Sequence, residues 1–451
     1  MIESLSALVL IASYGMSPIA CSPAPSPEPV SVLVITMDTT RSDVLFPGGD
    51  GVSPMPHIAR LAGESTVFTH AFTQTNVTNP SHVSLFTGLR AKSHGVFDNR
   101  TAIPASIETV PERFKKAGFF TAAFPAVPHL SDVPRWRGFD HFQPAERELK
   151  ADEVTSRVLR WSASHALTMP VFVWVHYYDP HAPYVPPARI VKRYYRGDPF
   201  QGHGPRLIDH RFFRDHPTAS SLADWIGDVR DPAYPRALYR GEVAFVDQEI
   251  GRLLDVFERR FDPLLVVLTA DHGESIDEHG IFFSHEGLYQ TQIHIPLIIR
   301  LPRRRTARVV DAPVSLLDIA PTLEAMFNLP SSRGREGASL LPWLEGRKPS
   351  LSRPRRLIVE HAHNHEAALI DGDWKLIWPV EDGILYLPNH PLLFNLSDDP
   401  REEHDLSSDR KDVVARMKKR LEPWIRLGQV QPRALERREA EDKLRALGYA
   451  R

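Results

Sequence analysis

The chain has 451 residues, of which 42% are hydrophobic and 24% charged, with a formal net charge of -2. That length suits one large α/β domain plus a smaller one. The near-neutral balance excludes a general affinity for nucleic acid or an anionic membrane surface, so any anion has to be met by a local site. A single cysteine, Cys21, excludes an internal disulfide and a cysteine-built zinc site.

The first elements read as a targeting segment. Leu5 to Ala12 is an apolar run of signal-peptide length, followed by small residues from Ser17 to Cys21. Ile19-Ala20-Cys21 resembles a bacterial lipobox. The expectation is an exported protein, periplasmic or held at a membrane through a lipidated Cys21. An ordinary cleaved signal and a disordered tail are the alternatives. Residues 1–29 are thus assigned to the signal and a Pro-rich linker.

Val30 to Met37 is a continuous apolar, β-branched run, the pattern of a strand buried on both faces of a parallel sheet. A helix is expected from Pro56 to Ala62, a strand from Val67 to Phe72, and a helix from Pro80 to Thr87. Then come a helix Val110 to Ala117 closed by Gly118, a strand Phe119 to Phe124, a helix Asp152 to Ser164 and a strand Val171 to His176. Residues 189–234 show no sustained period and read as a long insertion, either a lid near the site or a surface excursion. From Tyr239 to Phe261, Val243, Val246, Ile250, Leu253, Leu254 and Phe257 share one helical face. Strands follow at Leu264 to Thr269 and Pro296 to Arg300, and a helix at Leu316 to Phe327.

This alternation predicts a mostly parallel mixed sheet sandwiched by helices over residues 30–350. Past about residue 351 the pattern becomes short strands, Arg356 to Glu360, Ala367 to Ile370 and Trp374 to Trp378, and then a helix Asp412 to Ile425. That is a small antiparallel domain over 351–430, followed by a charged helical tail over 431–451.

Chemistry-bearing residues fall at strand ends, where parallel sheets bind ligands. Asp38 follows the first buried strand, and Asp271-His272-Gly273-Glu274 follows the strand at 264–269. These offer oxygen and nitrogen metal ligands. Thr78 precedes a helix opened by Pro80, where free N–H groups favour an anionic oxygen.

The run Thr78-x-Pro80-Ser81-His82-x-x-x-Phe86-Thr87-Gly88 resembles the motif of the sulfatases, in the alkaline phosphatase superfamily. So do Asp179-Pro-His-Ala-Pro-Tyr184, Asp247-x-x-Ile250-Gly251-x-Leu253, Tyr289 to Pro296, and Leu393 to Pro400 followed by Glu403-His404-Asp405-Leu406. The resemblance implies an alkaline-phosphatase-like fold and a metal-dependent hydrolase of sulfate or phosphate esters. Most sulfatases convert the cysteine or serine at the first motif position to formylglycine; here that position is Thr78, and oxidising threonine would give a ketone. No formylglycine is expected.

Other departures follow the same line. The family's arginine is matched by His82, one of its lysines by His285, and its second aspartate by Thr39; another lysine has no match near residues 125–129. The implied ligand set is Asp38, Thr78, Asp271 and His272, which favours manganese or zinc over calcium for one divalent ion. This set also resembles the metal site of threonine-nucleophile phosphotransferases and half of the two-zinc nucleotide pyrophosphatase site. Thr78 would attack, while His82, His181 and His285 bind the anion or act as general acids. His176 and Asp179 either bind the ester or serve the structure. His361, His363 and His365 read as exposed loop histidines.

The expected partner is a sulfated or phosphorylated ester, glycan or lipid-linked. Alternatives are a phosphodiesterase or phosphotransferase of phosphoethanolamine or phosphoglycerol type, and a non-catalytic binder of sulfated glycans.

Overall fold

The computed structural model describes residues 29–131, 136–201, 204–215, 219–331, 334–348, 355–361, 365–380 and 387–427. The export segment with Cys21, His363 and the expected tail helix lie outside the described residues.

Nine strands form the larger sheet: β1 (Ser31–Met37), β2 (Thr66–Phe72), β3 (Phe120–Phe124), β4 (His141–Phe142), β5 (Val171–Tyr177), β6 (Leu264–Ala270), β7 (His294–Arg300), β8 (Arg308–Val310) and β9 (Val314–Ser315). Their order is β4-β3-β5-β1-β6-β7-β2-β8, with β9 also on β2. Pairing is parallel except where β7 meets β6 and β2. The expected mostly parallel mixed sheet is therefore present.

Its core follows from the two-residue period of a strand. Along β1, Leu33, Ile35 and Met37 enter one apolar layer, while Val32 and Val34 enter the other. β5 divides in the same way, with Val173 and Val175 on one side and Phe172 and Trp174 on the other. Helices must cover both faces. Ala151–Ser164 and Ala233–Arg260 pack on the first, while Thr78–Thr87, Val110–Lys116 and Ile319–Met326 pack on the second. Each fully buried aliphatic side chain contributes roughly 1.5–3 kcal/mol, so a charge at Val34 would break the centre of the sheet.

The long helix begins at Ala233, six residues ahead of the sequence expectation, because Pro235 is tolerated within its first turn. Midway along it, Asp247 accepts from the backbone N–H groups of His57 and Ile58 at 3.1 and 2.8 Å. It thereby caps the helix Pro56–Ala62. Gly251 lies one turn on, where a Cβ would stand 2.2 Å from the His57 ring. The Asp247…Gly251 motif is thus a helix-packing device.

Residues 189–234 are more regular than their sequence suggests. They include helices Ala188–Tyr194, Arg211–Asp215 and Ala219–Ile226. Aromatic contacts, Phe212 on Phe282 and Trp225 on Phe283, dock the segment on the loop that leads to His285.

The smaller sheet has order β10 (Arg356–Glu360), β11 (Glu366–Asp371), β12 (Trp374–Pro379) and β13 (Leu392–Asn395), all antiparallel. Val413, Met417, Leu421 and Trp424 of helix Lys411–Leu427 repeat at helical spacing and cover Leu369, Leu376 and Leu393. Across the seam to the large sheet, Thr75 bridges Glu360, and the Glu360 N–H donates to the Gln74 carbonyl at 3.0 Å.

Candidate active site

Register brings the distant aspartates together. Met37 at the end of β1 pairs with Ala270 at the end of β6, so the next residues, Asp38 and Asp271, leave the sheet side by side. The chain then turns sharply at Thr39, whose φ of 47° is unusual for a residue with a branched side chain. Cross-links hold that strained turn: Thr39 Oγ1 donates to the Pro180 carbonyl at 2.7 Å, and the Tyr239 hydroxyl donates to the Thr39 carbonyl at 2.8 Å. After Asp271, Gly273 admits a backbone approach that a Cβ, 2.1 Å from the Thr291 carbonyl oxygen, would block.

Four donors meet there. Thr78 Oγ1 lies 3.5 Å from Asp38 Oδ2 and 3.4 Å from His272 Nε2. His272 Nε2 lies 3.7 Å from Asp38 Oδ1 and 3.5 Å from Asp271 Oδ2. A tetrahedral ion with ligand bonds near 2.05 Å has donor-to-donor edges of about 3.3 Å, so these separations suit a shared divalent cation. The tautomer also fits. His272 Nδ1 donates to the Gly273 carbonyl at 3.0 Å, which leaves the Nε2 lone pair facing the aspartates. Asp38 Oδ1 and Asp271 Oδ2 are buried with no hydrogen-bond partner. Burial raises both carboxyl pKa values, and for Asp271 the neighbouring Asp38 charge raises it further. A cation would answer both the missing partners and the like-charge repulsion.

Thr78 is the first residue of the wholly buried helix Thr78–Thr87. Ser81 Oγ ties that helix to the β6 end by donating to the Asp271 carbonyl at 2.7 Å. His82, one turn on, faces inward. Its Nδ1 donates to the Thr78 carbonyl at 2.8 Å, and its Nε2 lies 3.0 Å from Thr36 Oγ1, which also accepts from Trp174 Nε1. Both ring nitrogens are engaged, and burial lowers its pKa to about 3. His176 is equally buried, with burial lowering its pKa to about 4. Its Nδ1 accepts from the Ala126 N–H at 3.3 Å, and its Nε2 stands 3.4 Å from Asp38 Oδ2.

The two partly exposed histidines form the rim. The His181 and His285 rings are 5.9 Å apart, and His285 stands 4.7 Å from the His272 ring. His181 Nδ1 donates to the Ala182 carbonyl at 2.6 Å, so its Nε2 keeps a lone pair. Asp179 does not join this group. One oxygen accepts from Lys150 Nζ at 2.9 Å, and the other accepts from the Ala151 N–H at 2.7 Å, at the start of helix Ala151–Ser164.

Sequence reading missed the supports of the rim. The Tyr178 hydroxyl lies 2.9 Å from His181 Nδ1, and Asn76 Nδ2 donates to the His285 carbonyl at 2.8 Å. The pattern carried a signal only for Tyr178, beside the Asp179-Pro-His181 run. The expectation of exposed loop histidines is corrected for His361. It is 1% exposed, because the β10 end folds against the loop holding Glu286, 2.8 Å away.

Among the described residues no helix is long and apolar enough to cross a membrane. The family model described as Sulfatase matches residues 31–329, more than half of the chain. A second, described as N-sulphoglucosamine sulphohydrolase, C-terminal, matches residues 277–426. The uncharacterized sulfatase YidJ of Escherichia coli (strain K12) is 26% identical over 416 residues, covering 80% of this chain and 80% of that protein. Two solved structures share the fold. The phosphonate monoester hydrolase of Agrobacterium radiobacter has a TM-score of 0.68 at 22% identity, over 89% of this chain and 95% of that one. BT4656, solved with its substrate D-glucosamine-2-N,6-O-disulfate, has a TM-score of 0.70 at 21% identity, over 89% and 98%. The chain belongs to the sulfatase family and is a hydrolase of the sulfuric and phosphoric ester class.

Proposed function

We propose that Thr78 Oγ1 is the nucleophile of a sulfate or phosphate ester hydrolase, with Asp38, Thr78, Asp271 and His272 as ligands of one divalent ion, manganese or zinc. One observation carries this reading: Thr78 Oγ1 lies 3.4 Å from His272 Nε2 and 3.5 Å from Asp38 Oδ2, at the first turn of a buried helix. A bound ion would lower the hydroxyl pKa and balance the charge of the ester oxygens.

The residues around it have distinct tasks. Thr78 Oγ1 attacks sulfur or phosphorus, and the bond to the ester oxygen breaks. The Thr78 proton passes to Asp38 Oδ2, while the departing oxygen takes a proton that the lone pair of His181 Nε2 has first bound from solvent, and the water that later attacks returns one to it. Water then attacks the Thr78 ester, releasing sulfate or phosphate and returning the proton to Oγ1. His82 and His176 act as positioning residues, through the Thr78 carbonyl and Asp38. Asp179 anchors the helix Ala151–Ser164. The similar phosphonate monoester hydrolase and the glucosamine disulfate complex suggest the substrates to try.

The test is to purify the protein, identify its metal, and assay an aryl sulfate, a phosphate monoester, a phosphate diester and a phosphonate monoester beside Thr78→Ala. Turnover of one class that vanishes in the variant supports the assignment; undiminished turnover removes Thr78 as nucleophile.

A further inference from the structure

A second group of metal-ligand side chains stands beside the first without belonging to it. Glu286 follows His285 on a large-domain loop, while His361 and His365 flank the β10–β11 turn of the small sheet. One donor atom from each lies within 4.8 Å of the others. His361 Nε2 is 2.8 Å from Glu286 Oε2, and the two imidazole rings stack at 4.8 Å. A further carboxylate, Glu366, is 3% exposed; its Oε2 has no hydrogen-bond partner, and its strongest charge neighbours are His361 and then Glu286.

We propose that Glu286, His361 and His365 hold a zinc-class divalent ion across the seam between the two sheets. The chemistry favours that class. Two imidazoles and one carboxylate form a nitrogen-rich set suited to zinc and poorly suited to calcium or magnesium. The sites differ in kind. The Thr78 site offers two carboxylates, a hydroxyl and one imidazole, an oxygen-rich set that suits manganese as well as zinc. Placement supplies the purpose: Glu286 is bonded in the chain to His285, so an ion on Glu286 fastens the loop that sets the rim histidine. The small sheet would then govern His285 without touching the ester.

The test uses the full chain, stripped with a chelator and dialysed against zinc or manganese alone, with bound metal counted by mass spectrometry. The expected count is two zinc ions but one manganese ion per chain in the wild type. His365→Ala should hold one zinc, and Asp271→Asn should also hold one. The cobalt-substituted protein should lose one set of visible absorption bands in His365→Ala. Equal zinc counts in the wild type and His365→Ala overturn the inference. A count that falls in His365→Ala but not in Asp271→Asn leaves it standing and removes the Thr78-site metal instead. His365 is partly exposed, so truncation there spares the core. If thermal unfolding shows His365→Ala to be misfolded, His365→Gln is read in its place by the same two outcomes.

Discussion

The two walls of the site are built from different material. The inner wall, Asp38, Asp271 and His272 with His82 and His176 behind them, is fully buried and stands at the ends of strands or within a helix. The outer wall, His181 and His285, is partly exposed and stands on loops; an aromatic insertion and His361 of the small sheet, hydrogen-bonded to Glu286, brace the one holding His285. Rigid elements hold groups to fractions of an ångström, while loops vary freely between relatives. Changes to the inner wall should therefore damage every substrate alike, and changes to the outer wall should sort substrates.

The comparison can be broken first at its deepest point. Thr78→Ala should lower kcat/KM by at least about 10⁴-fold on any accepted ester, with the melting temperature little changed. A loss confined to one substrate class would contradict a common inner wall. Asp271→Asn comes next, with an expected fall of about 10³-fold and loss of tightly bound metal by elemental analysis. On the outer wall, His181→Ala should cost about 10²-fold, more for alkyl than for aryl leaving groups. A uniform cost across leaving groups would deny the rim its proton-donating task.

The smallest expected effect concerns the helix beneath Thr78. His94 is buried, with Nε2 3.1 Å from Ser84 Oγ and Nδ1 accepting from the Val96 N–H at 3.1 Å. Burial lowers its pKa to about 3, from 6.5. As pH falls below 6.5 the unfolded chain takes up a proton that the folded chain refuses, so this stability contribution is present above 6.5 and lost toward 3. Between pH 6.5 and 5 the wild type should lose about 2 kcal/mol more than His94→Gln in urea titrations. Parallel losses would show that His94 protonates without unfolding the helix.

The inner wall was readable in the sequence because burial leaves a pattern. Runs such as 30–37 and 264–269 are apolar throughout, so they had to be central strands, and their ends had to hold Asp38 and Asp271. The outer wall left less to read. β4 and β9 have two residues each, too short for any period, and the meeting of Glu286 with His361 depends on how two sheets dock. His82 could be aligned with the family motif, but its inward turn depends on Thr36, whose hydroxyl points from β1 toward the helix. Asp179 could not be resolved between ester binding and a structural role for a similar reason: only the fold brings Lys150 and the Ala151 N–H to it.

The bridge between Thr75 and Glu360 gives the small sheet a further meaning. It lies against the strand-to-helix turn, three residues ahead of Thr78, and Lys92 of the large domain is covered by the Trp424 ring at 3.3 Å. A chain cut after residue 350 would lose the Glu360 N–H that meets the Gln74 carbonyl, and would uncover the backbone at Gln74 and Thr75 that leads into the Thr78 helix. The region past 350 is therefore no detachable module: grafting one from a relative would refit the floor of the reaction chamber as well as its mouth.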